Sequence, residues 1–303
     1  MPPNGIWPMY PNFPCEKRMS KDDSKINPFW EKAPLIEEGD LFSELAERKG
    51  TSLFLGKYTL SEVFAVLGKK NFFREARRRE LWPLEFDMDS AAYPLQRFQI
   101  FYRDKKPENV IVDLKIREGV FSPKVDFVEG FPLPDARCLI FEWLTLQNPL
   151  EGFSQKRGAL PGQLHPGLGM SRKIVDIFIY LGRLTHKDCL LAFPAYYHNA
   201  VLFSRYFRFL NPVKEGEVQS IRQTFSHVPI KPLAWAVHLN CLRTSGGGVY
   251  EWKAEEQVHA LTRPLKEYFD SRGYKEKVKE NLKKSVFSID WDCYEKKKAL
   301  IPG

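Results

Sequence analysis

Gly162-Gln163-Leu164-His165-Pro166-Gly167-Leu168-Gly169 stands between an apolar, β-rich run, Ala136 to Leu146, and a segment built on one helical face. On that face Met170, Ile174, Ile177, Phe178, Leu181 and Leu184 recur at helical spacing. A second buried strand, Cys189 to Phe193, follows a short turn, and Ala200, Phe203 and Phe207 share a stripe along a helix from about Tyr197 to Phe209. The segment reads strand, glycine-rich turn, helix, strand, helix, and its turn sits where an anionic cofactor can be cradled.

Outward from that segment, the chain has 303 residues and a hydrophobic fraction of 43%, enough to bury a sizeable core. One domain with appendages and two small domains are both compatible with that length. No apolar run reaches the roughly 18 to 20 residues that cross a bilayer. The start, Met1-Pro2-Pro3-Asn4-Gly5, lacks the basic and apolar regions of a secretory signal, so a soluble cytoplasmic protein is expected. Cys15, Cys138, Cys189, Cys241 and Cys293 are scattered, with no Cys-x-x-Cys and no zinc-finger spacing, and are expected as reduced, mostly buried thiols.

The net charge of +8 admits anionic partners and also serves solubility. Lys69, Lys70, Arg74, Arg77, Arg78 and Arg79 cluster in one short stretch, interrupted by Phe72 and Phe73 and diluted by Glu75 and Glu80. That stretch is either a solvated helix face or a patch for nucleic acid or an acidic protein.

Residues 1 to 38 hold many prolines and aromatics without periodicity and read as an extended arm that either lies on the body or is disordered, the aromatic content favouring docking. Leu41 to Lys49 reads as a short helix, Ser52 to Tyr58 as a strand, and Leu60 to Leu67 and Asn71 to Leu81 as helices parted near Gly68. Leu95 to Arg103 and the alternating run from Val110 to Arg117 read as strands of a hairpin turning at Lys105 to Glu108. Helices are expected near Glu217 to Phe225 and from Pro232 to Leu242. A Ser245 to Gly248 break and a charged helical tail from Trp252 to Lys284 come next.

That element order, with Gly167-Leu168-Gly169 at a helix start, resembles the GCN5-related N-acetyltransferase superfamily. The family's signature is Gln or Arg, two residues, Gly, one residue, Gly or Ala. Asn199-Ala200-Val201-Leu202-Phe203 and the aromatics up to Phe209 are similar to the family's last-helix pattern. Departures are also present. Gln163 lies one place too early, Leu164 occupies the aligned position, and Leu150 to Leu164 is a long insertion. The last helix can be framed with its customary tyrosine at Tyr206 or with Ser204 there.

The resemblance implies an α/β (α+β) fold, a GNAT-like central mixed sheet with flanking helices. That domain would span residues 39 to 212, between the arm and a mainly helical C-terminal extension, 213 to 303. It implies acetyl-CoA or another acyl-CoA held between two splayed parallel strands. The implied contacts are Leu144, Leu146, Gly167, Leu168, Gly169, Met170, Ser171, Arg172 and Asn199, with backbone N–H groups of the turn facing the diphosphate. It implies direct attack by an unidentified amine acceptor, with Glu142 as base and Tyr206 protonating the leaving thiolate.

Glu142 also reads as an outward residue paired with an arginine. His165 can contact a phosphate or simply brace its loop, and His198 opens a helix, where capping or packing is the plainer role. No residue cluster has metal-ligand spacing, and no nucleophile elbow supports a hydrolase triad. The rival to an acyltransferase is an inactive protein of that fold that uses the basic helix and aromatic arm to bind nucleic acid or an acidic partner such as an acyl carrier protein.

Overall fold

A computed structural model describes residues 51–123, 125–154 and 158–301. The expected arm and the Leu41 to Lys49 helix lie outside the described residues. The fold is mixed α/β, with a seven-stranded sheet, a two-stranded sheet and, among the described residues, nine α-helices.

Helices α1 (Leu60–Lys69) and α2 (Phe72–Arg78) come first. A capping box starts α1: Thr59 accepts from the Glu62 N–H at 3.3 Å, and Glu62 accepts from the Thr59 N–H at 2.8 Å. Strands β1 (Leu84–Asp89), β2 (Gln96–Tyr102), β3 (Val110–Phe121) and β4 (Ala136–Leu146) then form an antiparallel meander. After α3 (Ser171–Leu184), β5 (Cys189–Ala192) runs parallel to β4. Helix α4 (Tyr197–Phe203) and strand β6 (Arg208–Phe209) follow. The remaining elements are α5 (Pro212–Thr224), α6 (Ile230–His238), β7 (Leu242–Thr244), β8 (Gln257–Ala260), α7 (Arg263–Asp270), α8 (Arg272–Lys284), β9 (Phe287–Ile289) and α9 (Trp291–Lys297).

The main sheet has the order β1-β2-β3-β4-β5-β8-β6, and β7 pairs with β9. Both faces of its centre are covered. Cys138, Ile140, Cys189, Leu191 and Val258 pack with Tyr268 and Phe269 of α7 and Tyr274 of α8. On the other face Phe141 meets Phe178 of α3 at 4.5 Å, and Gly182 lets α3 approach Leu190. A strand buried on both sides reads as a continuous apolar run, which is why β4 and β5 stand out in the sequence.

Several expectations need correction. The helix drawn to Phe209 ends at Phe203, because Arg208 and Phe209 turn back to pair with Val258 and Gln257 of β8. Ser52 to Tyr58 contributes only an isolated bridge, Phe54 to Tyr58. The alternation in β3 does not map to inside and outside, since Val110–Leu114 are all buried. Asp113 is accommodated there by a bidentate pair with Arg97 at 2.8 and 2.9 Å. The charged tail contains β8, which sits between β5 and β6, so residues 213–303 complete the sheet as well as adding helices.

Candidate functional site

The parallel register of β4 and β5 runs from Cys138↔Cys189 to Phe141↔Ala192 and stops there. Strand β5 ends, while β4 continues to Leu146. The parting coincides with a bulge. Against β3, Lys115 pairs with Trp143 and Ile116 with Phe141, which leaves Glu142 as the extra residue. A bulge bends its strand and raises local twist, and this one falls at the residue after the last β4–β5 pair.

Beyond the bulge the glycine-rich turn returns along β4. The Leu168 N–H donates to the Leu146 carbonyl at 3.1 Å, the Asn148 N–H donates to the Pro166 carbonyl at 2.8 Å, and Gly167 bridges Gln147. Leu168 is therefore not a free donor, and its side chain is buried. The N–H groups of Gly169, Met170 and Ser171 have no partner among the described residues, because Met170 at the N-cap of α3 supplies no side-chain cap. Gly169 has φ of +69°, a left-handed conformation that a side chain disfavours. Three open amides thus sit at the positive end of a fourteen-residue helix.

The sequence did not connect the basic run to this turn, and the fold does. A Cβ built on Gly169 would lie 3.6 Å from Arg79 Nη2, so that guanidinium sits over the turn. Glu75 holds the group in place: it meets Arg79 at 2.6 Å, Arg78 at 2.9 Å and Lys173 of α3 at 2.9 Å. Three cations on one carboxylate leave a surplus of positive charge beside the open amides. The Lys173 and Arg79 hydrogen bonds hold the Glu75 carboxyl down at about 2, so it remains charged across the neutral range.

The described residues of the insertion touch two neighbours. From β4 it reaches α6, where Trp235 Nε1 donates to the Ala159 carbonyl at 2.8 Å and Ala159 is fully buried. Further on, Gly162 lies directly on the Tyr196 ring, since a Cβ there would fall 2.5 Å from it. Tyr196 follows β5 and stacks on His198 at 5.6 Å, with His238 at 5.6 Å edge-on.

The catalytic expectations fare differently. Glu142 is exposed at the bulge and accepts from Arg117 Nε at 2.8 Å. The partial burial expected of a base is absent, and the outward ion-paired reading describes its position. Tyr206 follows α4 in a turn, where its carbonyl meets His259 Nδ1 at 2.6 Å. His259 pairs with Leu190, two residues before the strands part, or roughly 7 Å back along β5. The phenol at the parting end is Tyr196 instead. Leu144 and Leu146 lie half-buried past the bulge, Arg172 is exposed in the first turn of α3, and Asn199 lies half-buried in α4. His165 is half-buried in the turn.

Among the described residues three buried side-chain polar atoms lack a hydrogen-bond partner: Tyr197 Oη, His198 Nδ1 and Gln257 Oε1. All three belong to the junction of β5 and α4. Gln257 pairs with Ala192, the last residue of β5, and its Nε2 donates to the Ala200 carbonyl at 3.1 Å. Unmet polar atoms are rare in folded proteins, and these three lie at one junction. Burial, reinforced by nearby His238, brings the His198 imidazole down to about 4, which keeps it neutral with a lone pair to offer. Periodicity places His198 on a helix but carries no trace of this burial.

Among the described residues no group of His, Cys, Asp and Glu has metal-binding geometry, and no helix is long and apolar enough to cross a membrane. The chain matches no protein-family model, no curated protein and no solved structure.

Proposed function

We propose that the chain is an acyltransferase that moves an acetyl or other acyl group from acyl-CoA to an amine. The observation that supports this best is the set of open amides at Gly169, Met170 and Ser171, faced by Arg79, beside the point where β4 leaves β5. Amides at a helix start with an adjacent guanidinium suit a diphosphate. The short stretch of β4 from Glu142 to Thr145, between the last β5 pair and the turn's bond to Leu146, suits an extended pantetheine arm, whose amides need partners of the kind a strand edge offers. The thioester would then lie toward Tyr196 and His198. There the amine attacks the thioester carbon as the C–S bond breaks. The thiolate takes up the proton that the amine loses. Glu142 has no role in this scheme, and the docked insertion forms one wall of the acceptor's route.

The test is thermal unfolding of the full chain with CoA and with acetyl-CoA. Ligand at about 100 times its dissociation constant stabilises the fold by roughly 2.7 kcal/mol, a readily measured rise in midpoint. Arg79→Ala is expected to cut that rise, measured from the variant's own midpoint without ligand. Absence of any response to either compound overturns the proposal, and salt-sensitive retardation of nucleic acid without a CoA response would favour the rival binding role.

A further inference from the structure

Cys241 and Cys293 are 52 positions apart in the chain, yet their Sγ atoms lie 2.7 Å from each other. The approach is imposed by the backbone. Strand β7 pairs with β9 through Leu242↔Ile289, which brings the preceding Cys241 opposite the following Asp290. The Asp290 N–H donates to the Cys241 carbonyl at 2.9 Å, and Asp290 Oδ1 accepts from the Cys293 N–H at 2.9 Å. Arg243 holds the same carboxylate at 2.9 Å. One residue thus clamps both cysteine backbones. Around the sulfurs, Trp235, Ala236, Cys241 and Tyr294 form one cluster, against which Cys293 packs.

Access separates this pair from the other one. Cys138 and Cys189 also stand 2.7 Å apart, on paired parallel strands, but both are sealed in the core between the sheet and α7 and α8. Cys293, by contrast, is partly exposed.

We propose that Cys241 and Cys293 form a modification site: a dithiol that a small-molecule disulfide such as oxidised glutathione converts to a disulfide joining α9 to the turn between α6 and β7. The Cys293 thiolate attacks one sulfur of the oxidant, forming a mixed disulfide and releasing one thiol. The Cys241 sulfur then attacks Cys293 Sγ, closes the protein disulfide and releases the second thiol. The two cysteines lose two protons and two electrons, and the oxidant is reduced to two thiols. Burial, with the Cys293 contact adding to it, pushes the Cys241 thiol up to about 12, so closure quickens as pH rises. The bond would stiffen α6, whose Trp235 anchors the insertion at Ala159.

The experiment uses the full chain carrying Cys15→Ser, reduced, desalted and then incubated with oxidised glutathione under native conditions. After alkylation of remaining thiols, intact mass and peptide mapping locate the bond. Expected is a single protein disulfide between Cys241 and Cys293, with Cys138 and Cys189 alkylated only after denaturation. Cys241→Ala is expected to stop at a glutathione adduct on Cys293, and Cys293→Ala to give neither adduct nor bond. Full alkylation of Cys241 and Cys293 after prolonged oxidation overturns the proposal, as does a bond that forms first between Cys138 and Cys189.

Discussion

Replacing His198 by glutamine removes a titration that burial has displaced, and this makes stability at mildly acid pH a direct readout of the β5–α4 junction. In the fold the imidazole titrates near 4, against the ordinary 6.5 expected of the unfolded chain. The unfolded state therefore binds more protons between those values, and stability rises with pH across that window and falls on acidification. Its contribution is fully present above about 6.5 and is lost as pH drops toward 4, with a limit of roughly 3 kcal/mol. At pH 5 the unfolded imidazole is about 97% protonated and the folded one about 9%, which corresponds to a loss of about 2 kcal/mol.

Urea unfolding followed by tryptophan fluorescence at pH 7.5 and at pH 5 gives the two stabilities for each protein. The wild type is expected to lose about 2 kcal/mol more between those pH values than His198→Gln does. Comparing each protein with itself cancels the packing cost of the substitution. His259, also lowered by burial, titrates in both proteins and cancels too. Equal losses in the two proteins would refute the buried, neutral His198.

Gly182→Val is expected to destabilise by about 1–3 kcal/mol in denaturant titration, because its Cβ would lie 2.7 Å from Leu190 Cδ2 and 2.8 Å from Leu261 Cδ1 inside a filled interface. Gly169→Val forces a branched side chain to φ of +69° beneath Arg79 and is expected to cost about 1–2 kcal/mol. The same variant should lose most of the thermal response to CoA. Glu142→Gln breaks an ion pair with Arg117 in which each side chain is 37% exposed, so stability should change by less than about 1 kcal/mol. Acyl transfer by that variant should match wild type; a large drop would restore Glu142 as the base.

The stretch from Ala136 to Leu184 was legible because its signals are local. Continuous apolar runs mark strands covered on both faces, and the face from Met170 to Leu184 has one helical period, so β4 was placed at its observed bounds and α3 began where the turn ended. Legibility failed where a long-range partner overrode a local pattern. Phe207 continues the helical stripe of α4, yet β8 draws the neighbouring Arg208 and Phe209 into the sheet. Asp113 interrupts an otherwise apolar centre only because Arg97 stands beside it.

The candidate site divides along the same line. Glycines before a helical face already declared a turn with unfilled amides, since the turn's geometry and the helix start are properties of neighbouring residues. Whether those amides face an anion depended on Arg79, which is ninety positions from Gly169 and arrives only through packing of α2 on α3. The Glu142 bulge after the last β4–β5 pair, the burial of His198 and the meeting of Cys241 with Cys293 likewise arise from contacts between distant segments. Local chemistry determined which elements form, because hydrogen bonding and side-chain period act over a few residues. Tertiary structure decided which groups meet, because burial and register are set by the chain as a whole.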